Sequence, residues 1–312
     1  MKNKIIRMLF FILTFSFVTM EAQNVASTPD YIRTLTFQWK GERLADGRPK
    51  VSDAILARLK NVAMEEAWGF LRSKGYNNQY EGDWQIIHPD DPMTGRVVTA
   101  QYMPLRADFK NVVQRQAAVE KRDTIGKDNS WPIQILQPGD VYVADGYDKL
   151  INMAIIGSNL GNAIYNNSKN GVIFYGGIRD LDGLRKIKGF NGWFRGQDPS
   201  SSSERMLTSI NAPIRIGRAI VLPGDVVLAN EFGTIFIPPY LVNELVLSSE
   251  VVALRDQFGF QRLREKKYTP GQIDIKWTDA MKKDFRNWVD AYPDNKLPMT
   301  RKELNDYLNA HK

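Results

Sequence analysis

Two short segments near the middle of the chain combine glycine with side chains that bind ligands. In the first, Gly176-Gly177-Ile178-Arg179-Asp180 ends an apolar run, and paired glycines at a strand end leave room for a ligand. The Arg179 guanidinium could bind a carboxylate through two hydrogen bonds, and Asp180 could hold a hard divalent cation such as Mg²⁺. The competing interpretation is a surface salt bridge.

The second segment, Gly157-Ser158-Asn159-Leu160, stands at the start of a predicted helix. Backbone N–H groups in the first turn of a helix are free to bind a carboxylate or phosphate, and glycine allows a ligand to approach closely. Glycine before a helix is also common in proteins, so a purely structural role stays open.

The elements that must position these segments alternate between strands and helices. Pro-Gly-Asp turns open two similar strand patterns, at 137–145 and 222–230. Helical spacing over 160–165, followed by the apolar run 171–176, predicts a helix and a third strand. The order strand, helix, strand predicts a βαβ unit in the middle of an α/β domain.

Signals on either side extend this domain over residues 51–250. Apolar spacing from Val51 to Leu71, with Ser52 and Asp53 as capping residues, predicts one helix there. The remaining predicted parts of the domain are a strand at 95–100, a helix at 108–119, a polar loop at 123–130 and a strand at 234–237.

The two flanks are predicted to differ from the domain. Residues 23–50 are polar with a few aromatic residues and are interpreted as a lead-in segment. Residues 251–312 are interpreted as a small, mostly helical extension with two further helices. Thr300 and Glu303 form a capping box for the last one.

The first 22 residues have the features of a signal peptide. Lys2, Lys4 and Arg7 precede an apolar run from Met8 to Val18, which is short for a membrane span. We therefore expect an exported protein, periplasmic or secreted, without stable membrane insertion after cleavage near Gln23. An uncleaved N-terminal anchor is the alternative.

Composition excludes several functional classes. Of the 312 residues, 43% are hydrophobic and 25% are charged, which is typical of a folded protein. Removing residues 1–22, with three basic residues and one acidic residue, changes the net charge from +7 to +5. The basic residues are dispersed, so nucleic acid is not an expected partner. The absence of cysteine excludes disulfides, thiol catalysis and thiolate metal sites.

Segments 157–160 and 171–180 together resemble the signature of the RraA-like family. That family includes the regulator of ribonuclease E activity, 4-hydroxy-4-methyl-2-oxoglutarate aldolases and oxaloacetate decarboxylases, and its members are often mislabelled as dimethylmenaquinone methyltransferases. Supporting matches are Val51-Ser52-Asp53-Ala54, the strand ending at Asp145-Gly146, and residues 223–238. The matches follow the family's order along the chain.

The resemblance implies an RraA-like α/β sandwich with a β-rich centre, assembled as a homotrimer with sites near subunit boundaries. It implies that the backbone of Gly157, Ser158, Asn159 and Leu160 cradles a substrate carboxylate. It also implies that Arg179 contacts the pyruvoyl oxygens and that Asp180 binds a divalent metal, Mg²⁺ or Mn²⁺. The expected activity is that of a metal-dependent lyase, which cleaves a carbon–carbon bond of a small oxo acid by retro-aldol reaction or decarboxylation through a pyruvate enolate.

Three positions depart from the family's pattern. Ser158 stands where catalytic members often carry Glu or Asp, and Gly183 stands where many carry an acid, with Asp182 one place early. Asn230 replaces a frequent Asp. In the ribonuclease regulators the residue after the arginine is typically not Asp, so Asp180 places this chain nearer the enzymes.

Other functions remain to be compared with the lyase. A non-catalytic scaffold that binds a small carboxylate or a protein partner is the main alternative, and a purely structural oligomer is a third. No glycine-rich nucleotide loop supports a methyltransferase. His88 and His311 are the only histidines, which argues against a histidine-based triad or zinc site. Regulation of a ribonuclease would require the cytosol, which the predicted signal peptide argues against.

Overall fold

A computed structural model describes residues 24–123 and 125–311. The predicted signal peptide, residues 1–22, lies outside the described residues. Within the described part of the chain, none of the helices is both long enough and apolar enough to cross a bilayer.

Eleven strands form in the described residues, most of them short. In chain order they are β1 (Tyr80–Glu81), β2 (Gln85–Ile86), β3 (Met93–Pro104), β4 (Asp140–Asp145), β5 (Val172–Ile178), β6 (Gly192–Gln197), β7 (Arg205–Ile210), β8 (Ile214–Ile216), β9 (Ala219–Val221), β10 (Val226–Asn230) and β11 (Gly233–Ile237).

Eleven α-helices of very different length accompany these strands in the same described residues. They are α1 (Pro29–Leu35), α2 (Asp53–Leu59), α3 (Met64–Ser73), α4 (Ala107–Val119), α5 (Trp131–Gln134), α6 (Ser158–Ser168), α7 (Leu181–Arg185), α8 (Val242–Arg264), α9 (Pro270–Asp274), α10 (Asp279–Asp290) and α11 (Arg301–Ala310).

A mixed sheet of nine strands forms the centre of the domain. Its order is β1-β11-β10-β3-β4-β5-β6-β2, with β7 added to β3, while β8 and β9 pair separately. Strands β3, β4, β5 and β6 are parallel, and the pairs around them are antiparallel. The predicted βαβ unit is confirmed as β4-α6-β5.

Both faces of the parallel strands are covered. All six residues of β4 are buried, as expected for strands buried on two sides. On one face, Tyr142 and Phe174 pack with residues of α4, α5 and α6. On the other face, Val141 and Ile173 pack with the β8–β9 pair. The predicted α/β sandwich with a β-rich centre is therefore confirmed.

The two Pro-Gly-Asp repeats form the same turn. Gly139 and Gly224 have φ of 84° and 86°, a region that residues other than glycine rarely adopt. Each turn closes when the aspartate side chain accepts a hydrogen bond from the backbone three residues earlier, at 2.9 Å for Asp140 and 2.8 Å for Asp225. The turns start β4 and β10, which lie on opposite sides of β3.

The predicted single helix between Val51 and Leu71 is wrong, because the structure has two helices, α2 and α3. Ser52 caps α2 as predicted, through a hydrogen bond from the Ile55 amide. Helix α2 ends at Leu59, and Ala63, directly before α3, is extended. The apolar spacing continues across this break because Leu59 and Val62 both enter the same core cluster.

The lead-in segment is packed into the domain. Val25 is buried, and its carbonyl accepts a hydrogen bond of 2.7 Å from the Ile210 amide. The Arg48 side chain is fully buried and donates two hydrogen bonds, of 2.9 and 2.8 Å, to the Asp140 carboxylate. Burial opposes the Arg48 charge, but the Asp140 and Asp46 carboxylates outweigh it and raise the pKa of Arg48.

The C-terminal extension is joined to the domain by a continuous helix. Helix α8 has 23 residues, and the predicted boundary between residues 250 and 251 falls inside it. Three further α-helices follow within the described residues, α9, α10 and α11, where two were predicted. A capping box of Thr269 and Gln272 stabilises the N-terminus of the additional short helix, α9. The predicted capping box of Thr300 and Glu303 is confirmed.

Candidate active site

The two segments singled out in the sequence lie side by side. The chain between β4 and α6 runs along the end of β5, where the Ile155 amide donates to the Gly177 carbonyl at 3.0 Å. The Arg179 amide then donates to the Ile156 carbonyl at 3.1 Å. These hydrogen bonds place Gly157, at the start of α6, against Asp180.

Glycine at position 157 is required by this close approach. A Cβ atom at Gly157 would overlap the Asp180 carboxylate and would lie 3.3 Å from Nε of Arg179. Any side chain at this position would therefore push Asp180 or Arg179 away from the helix start.

Asp180 is held in a left-handed conformation between β5 and α7. Its φ of 57° is uncommon for a residue with a side chain, although aspartate tolerates it better than most. The Asp180 carbonyl accepts hydrogen bonds from the amides of Gly183 and Leu184 at 2.9 and 3.0 Å. The turn thus fixes the backbone and directs the carboxylate toward α6.

The charged side chains of this turn remain accessible. The exposed fraction is 46% for Arg179 and 49% for Asp180, and their closest charged atoms, Nε and Oδ2, are 3.9 Å apart. Oδ2 also accepts a long hydrogen bond of 3.4 Å from the Ser158 amide. Because these contacts are long and solvent reaches both groups, a ligand could replace them.

The four residues predicted to cradle a carboxylate form the first turn of α6. Gly157 is the N-cap, and Ser158, Asn159 and Leu160 are the first three helical residues. Amide groups at these positions have no acceptor within the helix. The structure therefore brings all six predicted site residues together, Arg179 and Asp180 included, while their roles stay predictions.

The three departures from the family's pattern occupy two places. Ser158 and Gly183 are in contact, since a Cβ at Gly183 would lie 2.7 Å from Cβ of Ser158. Asn230 lies at the other end of the strands. It follows Ala229, which pairs with Met93 at the start of β3, whereas Arg179 follows the last residue of β5, a strand that runs in the same direction as β3. Its side chain accepts from the Phe232 amide at 3.0 Å and closes a turn.

The residues present fit only one kind of metal site. No group of three or more His, Cys, Asp or Glu side chains that could hold a metal occurs among residues 24–123 and 125–311. Mg²⁺ does not need such a group, because it keeps several waters and binds through one or two carboxylates together with substrate oxygens. The half-exposed Asp180 carboxylate fits this mode.

Among the buried cations that sequence reasoning missed is Arg205, at the start of β7. Its side chain is 1% exposed and forms an ion pair with Asp128 at 3.0 Å. The available signal was an arginine directly before the apolar residues Met206 and Leu207.

Comparison with known proteins identifies the family of this chain. A profile of the RraA-like family, described as Aldolase/RraA, matches residues 48–236. The chain belongs to the RraA-like family. The matched range begins at Arg48 and ends within β11, so it contains every candidate site residue and the Arg48–Asp140 pair.

Relatives and a solved structure support this membership. The RraA-like chain is 36% identical over 104 residues to a protein of Alcanivorax borkumensis provisionally named 4-hydroxy-4-methyl-2-oxoglutarate aldolase, a match covering 33% of this chain and 64% of that protein. It is 27% identical over 115 residues to the Thermus thermophilus protein of that name, covering 36% of this chain and 69% of that one. The chain thus spans about two thirds of these relatives' length.

The fold is also that of a solved family member. The crystal structure of Streptomyces coelicolor RraAS2, described as an unusual member of the RNase ES inhibitor RraA protein family, superposes with a TM-score of 0.57 at 24% identity. The superposition covers 69% of this chain and all of that one. The resemblance stated from the sequence is confirmed for family and fold.

Proposed function

We propose that this protein is a divalent-metal-dependent lyase that cleaves a carbon–carbon bond of a small oxo acid, by retro-aldol reaction or decarboxylation. The proposal rests on one observation: Arg179, Asp180 and the first-turn amides of α6 meet at one accessible place. The names of the two relatives, which refer to an aldolase of an oxo acid, are consistent with it.

Each group has a task that follows from its chemistry. The amides of Ser158, Asn159 and Leu160 donate hydrogen bonds to the substrate carboxylate at the positive end of α6, and the Arg179 guanidinium donates two parallel hydrogen bonds to the pyruvoyl oxygens. Asp180 is the residue that would hold Mg²⁺ or Mn²⁺. A bound divalent cation supplies Lewis-acid polarisation of the keto group and stabilises the negative charge left by bond cleavage.

Substrate binding would also rearrange the contacts now present. Oδ2 of Asp180 lies 3.4 Å from the Ser158 amide, so the Asp180 carboxylate weakly occupies the anion-binding position at the start of α6. A substrate carboxylate at those amides would displace it by charge repulsion. Asp180 would then be free to face the cation, so binding of substrate and cation would support each other.

A second candidate is a scaffold that binds a small carboxylate without turnover. The observation that favours it is the pair Ser158 and Gly183, which occupies positions where catalytic members of the family often carry acids. Arg179 and the α6 amides would still bind an anion. The lyase and the scaffold therefore differ in turnover, and binding alone does not separate them.

We also propose a homotrimer that acts outside the cytoplasm. Arg179 and Asp180 are about half exposed in one chain. Four cavities of about 300 to 960 Å³ occur in the described residues, and neither Arg179 nor Asp180 lines any of them. A neighbouring subunit would enclose the site and exclude water. Light scattering that shows a monomer at micromolar concentration would contradict sites shared between subunits.

The basic start and apolar run of residues 1–22 support export.

The decisive experiment measures pyruvate release by protein lacking residues 1–22. Oxaloacetate and 4-hydroxy-4-methyl-2-oxoglutarate are supplied separately, with Mg²⁺, with Mn²⁺ and with chelator. The lyase predicts enzyme-dependent release that chelator abolishes and Mg²⁺ restores. If calorimetry shows oxo-acid binding while no pyruvate forms above the metal-only rate, the scaffold is correct and the lyase is not.

A further inference from the structure

A buried arginine outside the candidate active site has hydrogen-bond donors without acceptors. Arg205 donates from Nη1 to Asp128 at 3.0 Å, and its guanidinium carbon lies 4.5 Å from the centre of the Tyr102 ring. Among the residues that the structure describes, Nε and Nη2 of Arg205 have no hydrogen-bond partner. Buried polar groups are nearly always paired, so this guanidinium calls for an acceptor.

The two unpaired nitrogens define the shape of that acceptor. Nε and Nη2 form one edge of the guanidinium, which matches two oxygens of a carboxylate or phosphate group. The chain uses the same edge elsewhere for carboxylates: Arg58 binds Glu250 at 2.8 and 2.5 Å, and Arg262 binds Asp284 at 2.8 and 2.9 Å. The missing partner of Arg205 is therefore a group with two adjacent oxygens.

Arg205 lines a cavity large enough to admit such a group. The cavity has a volume of about 900 Å³ and lies between α4, the segment 126–131 and residues 202–207. Ser202 and Ser203 add hydroxyl groups to its wall. Its lining residues include none of Gly157–Leu160, Arg179 or Asp180, so it is separate from the candidate active site.

The charge of the lining favours an anion. Besides Arg205, the cavity is lined by Lys110, Arg115 and Lys127, with Asp128 as the single acidic side chain. Asp128 is already engaged, since it accepts hydrogen bonds from Arg205 and from the Leu207 amide at 2.9 Å. An excess of cations in a concave site raises the local concentration of anions.

We propose that this cavity binds a small oxyanion, a carboxylate or phosphate group, through Nε and Nη2 of Arg205. Both nitrogens are buried at the cavity wall, so the side chains that cover them must shift when the ligand binds. Lys110, Arg115 and Lys127 attract the ligand, and Ser202 and Ser203 can donate hydrogen bonds to it. The site needs no metal and does not depend on lyase activity.

The test is calorimetric titration with inorganic phosphate and, separately, with succinate at constant ionic strength. It uses the Arg179→Lys protein, so that anion binding at the candidate active site is weakened. One saturable event per chain is expected, and the anion that binds more tightly identifies the ligand's head group. Arg205→Lys keeps a positive charge near Asp128 but lacks the two-nitrogen edge, so binding should weaken about tenfold or more.

A second pair of variants covers the possibility that Arg205→Lys does not fold. Arg115 and Lys127 are exposed, and replacing both with glutamine should weaken binding about threefold for each charge removed. Lys296→Gln removes an exposed charge outside this cavity and should leave binding unchanged. The proposal is wrong if neither anion binds saturably, or if the Arg115/Lys127 double variant binds as tightly as its parent.

Discussion

Ser158 and Gly183 face each other so closely that a methyl group on Gly183 would lie 2.7 Å from Cβ of Ser158. The two positions where this chain lacks an acid are therefore one structural feature. An aspartate cannot be restored at position 183 while α6 and α7 keep their present spacing. Any compensating acid must come from position 158, from Asp182 or from a neighbouring subunit.

The first prediction follows from this contact. Gly183→Ala should lower the free energy of unfolding by about 1–3 kcal/mol, because the added methyl group must push α7 away from α6. Gly69→Ala is the matched control: Gly69 also lies in a helix, and a Cβ there meets nothing within 4 Å. That change should stabilise by about 0.5–1 kcal/mol. Urea denaturation measures both, and equal effects would show that the Ser158 contact is unimportant.

The second prediction concerns the metal and carboxylate ligands. Asp180→Asn keeps the shape of the side chain but removes the charge that a hard cation requires, so metal-dependent pyruvate release should fall about a hundredfold or more. Arg179→Lys should fall similarly, because an ammonium group cannot form two parallel hydrogen bonds with a carboxylate.

Asp182→Asn is the control for both changes. Asp182 is two residues from Asp180, and its side chain is 93% exposed. The Asp182→Asn change removes the same charge as Asp180→Asn. Its rate should stay within about twofold of the parent, as expected for exposed charges. Equal losses in Asp180→Asn and Asp182→Asn would mean that charge near the site matters and that ligation by Asp180 does not.

The third prediction tests whether the missing acid limits the reaction. Ser158→Glu places a carboxylate at the first helical residue of α6, beside Asp180 and Gly183. If proton transfer is rate-limiting, pyruvate release should rise while the unfolding free energy changes little, since an acid in the first turn suits the helix dipole. Ser158→Gln, of the same size, should give no increase. A rise in both variants would indicate a packing effect.

The fourth prediction concerns pH and the buried Asp225. Burial raises the pKa of Asp225 to about 7, against the hydrogen bond from the Leu222 amide, which lowers it. The folded protein therefore holds this proton more tightly than the unfolded chain does. The stabilisation is complete below the ordinary carboxyl pKa of about 4 and is lost as pH rises to 7, by at most about 4 kcal/mol.

Asp225→Asn removes that dependence and keeps an oxygen for the Leu222 amide. Unfolding free energies measured from pH 4.5 to 8 should decline less steeply for the variant than for the parent. Asp145 has a raised pKa for the same reason, burial, so part of the decline should remain. Parallel curves for the two proteins would show that Asp225 is ionised throughout.

The fifth prediction tests whether residues 23–50 belong to the domain. Arg48→Met leaves the Asp140 carboxylate buried and without its main partner, although Arg96 lies 3.8 Å away. Breaking a buried pair in this way typically costs about 3–5 kcal/mol. Lys50→Met, which removes an exposed pair with Glu42, should cost under about 1 kcal/mol. Thermal unfolding compares them, and equal small losses would mean that the lead-in segment is dispensable.

Local signals explain which parts of this fold could be predicted from the sequence. The Pro-Gly-Asp turns and the alternation around them predict β4, α6 and β5 because turn chemistry and periodicity act over a few residues. The break at Ala63 could not be predicted, since Leu59 and Val62 continue the apolar spacing through it.

Distant contacts set the limit for the site and for the buried charges. Gly157, Arg179 and Asp180 could be grouped from motif spacing and family resemblance. The pairing of Arg48 with Asp140 joins residues 92 positions apart, and Arg205 with Asp128 joins residues 77 apart. Nothing near Arg48 in the sequence indicates that the folded chain will surround it, and the local signal for Arg205 is limited to the two apolar residues that follow it.

Helix α8 runs through two of the hydrophobic core clusters in the described residues. At about 1.5 Å per residue, its 23 residues extend roughly 34 Å. Its first half packs with Leu59 and Ile237, and its second half packs with Trp277 and Phe285. Arg58 clamps the junction by binding both Glu250 and Glu303. The extension is therefore connected to the domain by a packed, continuous helix and by the Arg58 ion pairs, and not by an unstructured linker.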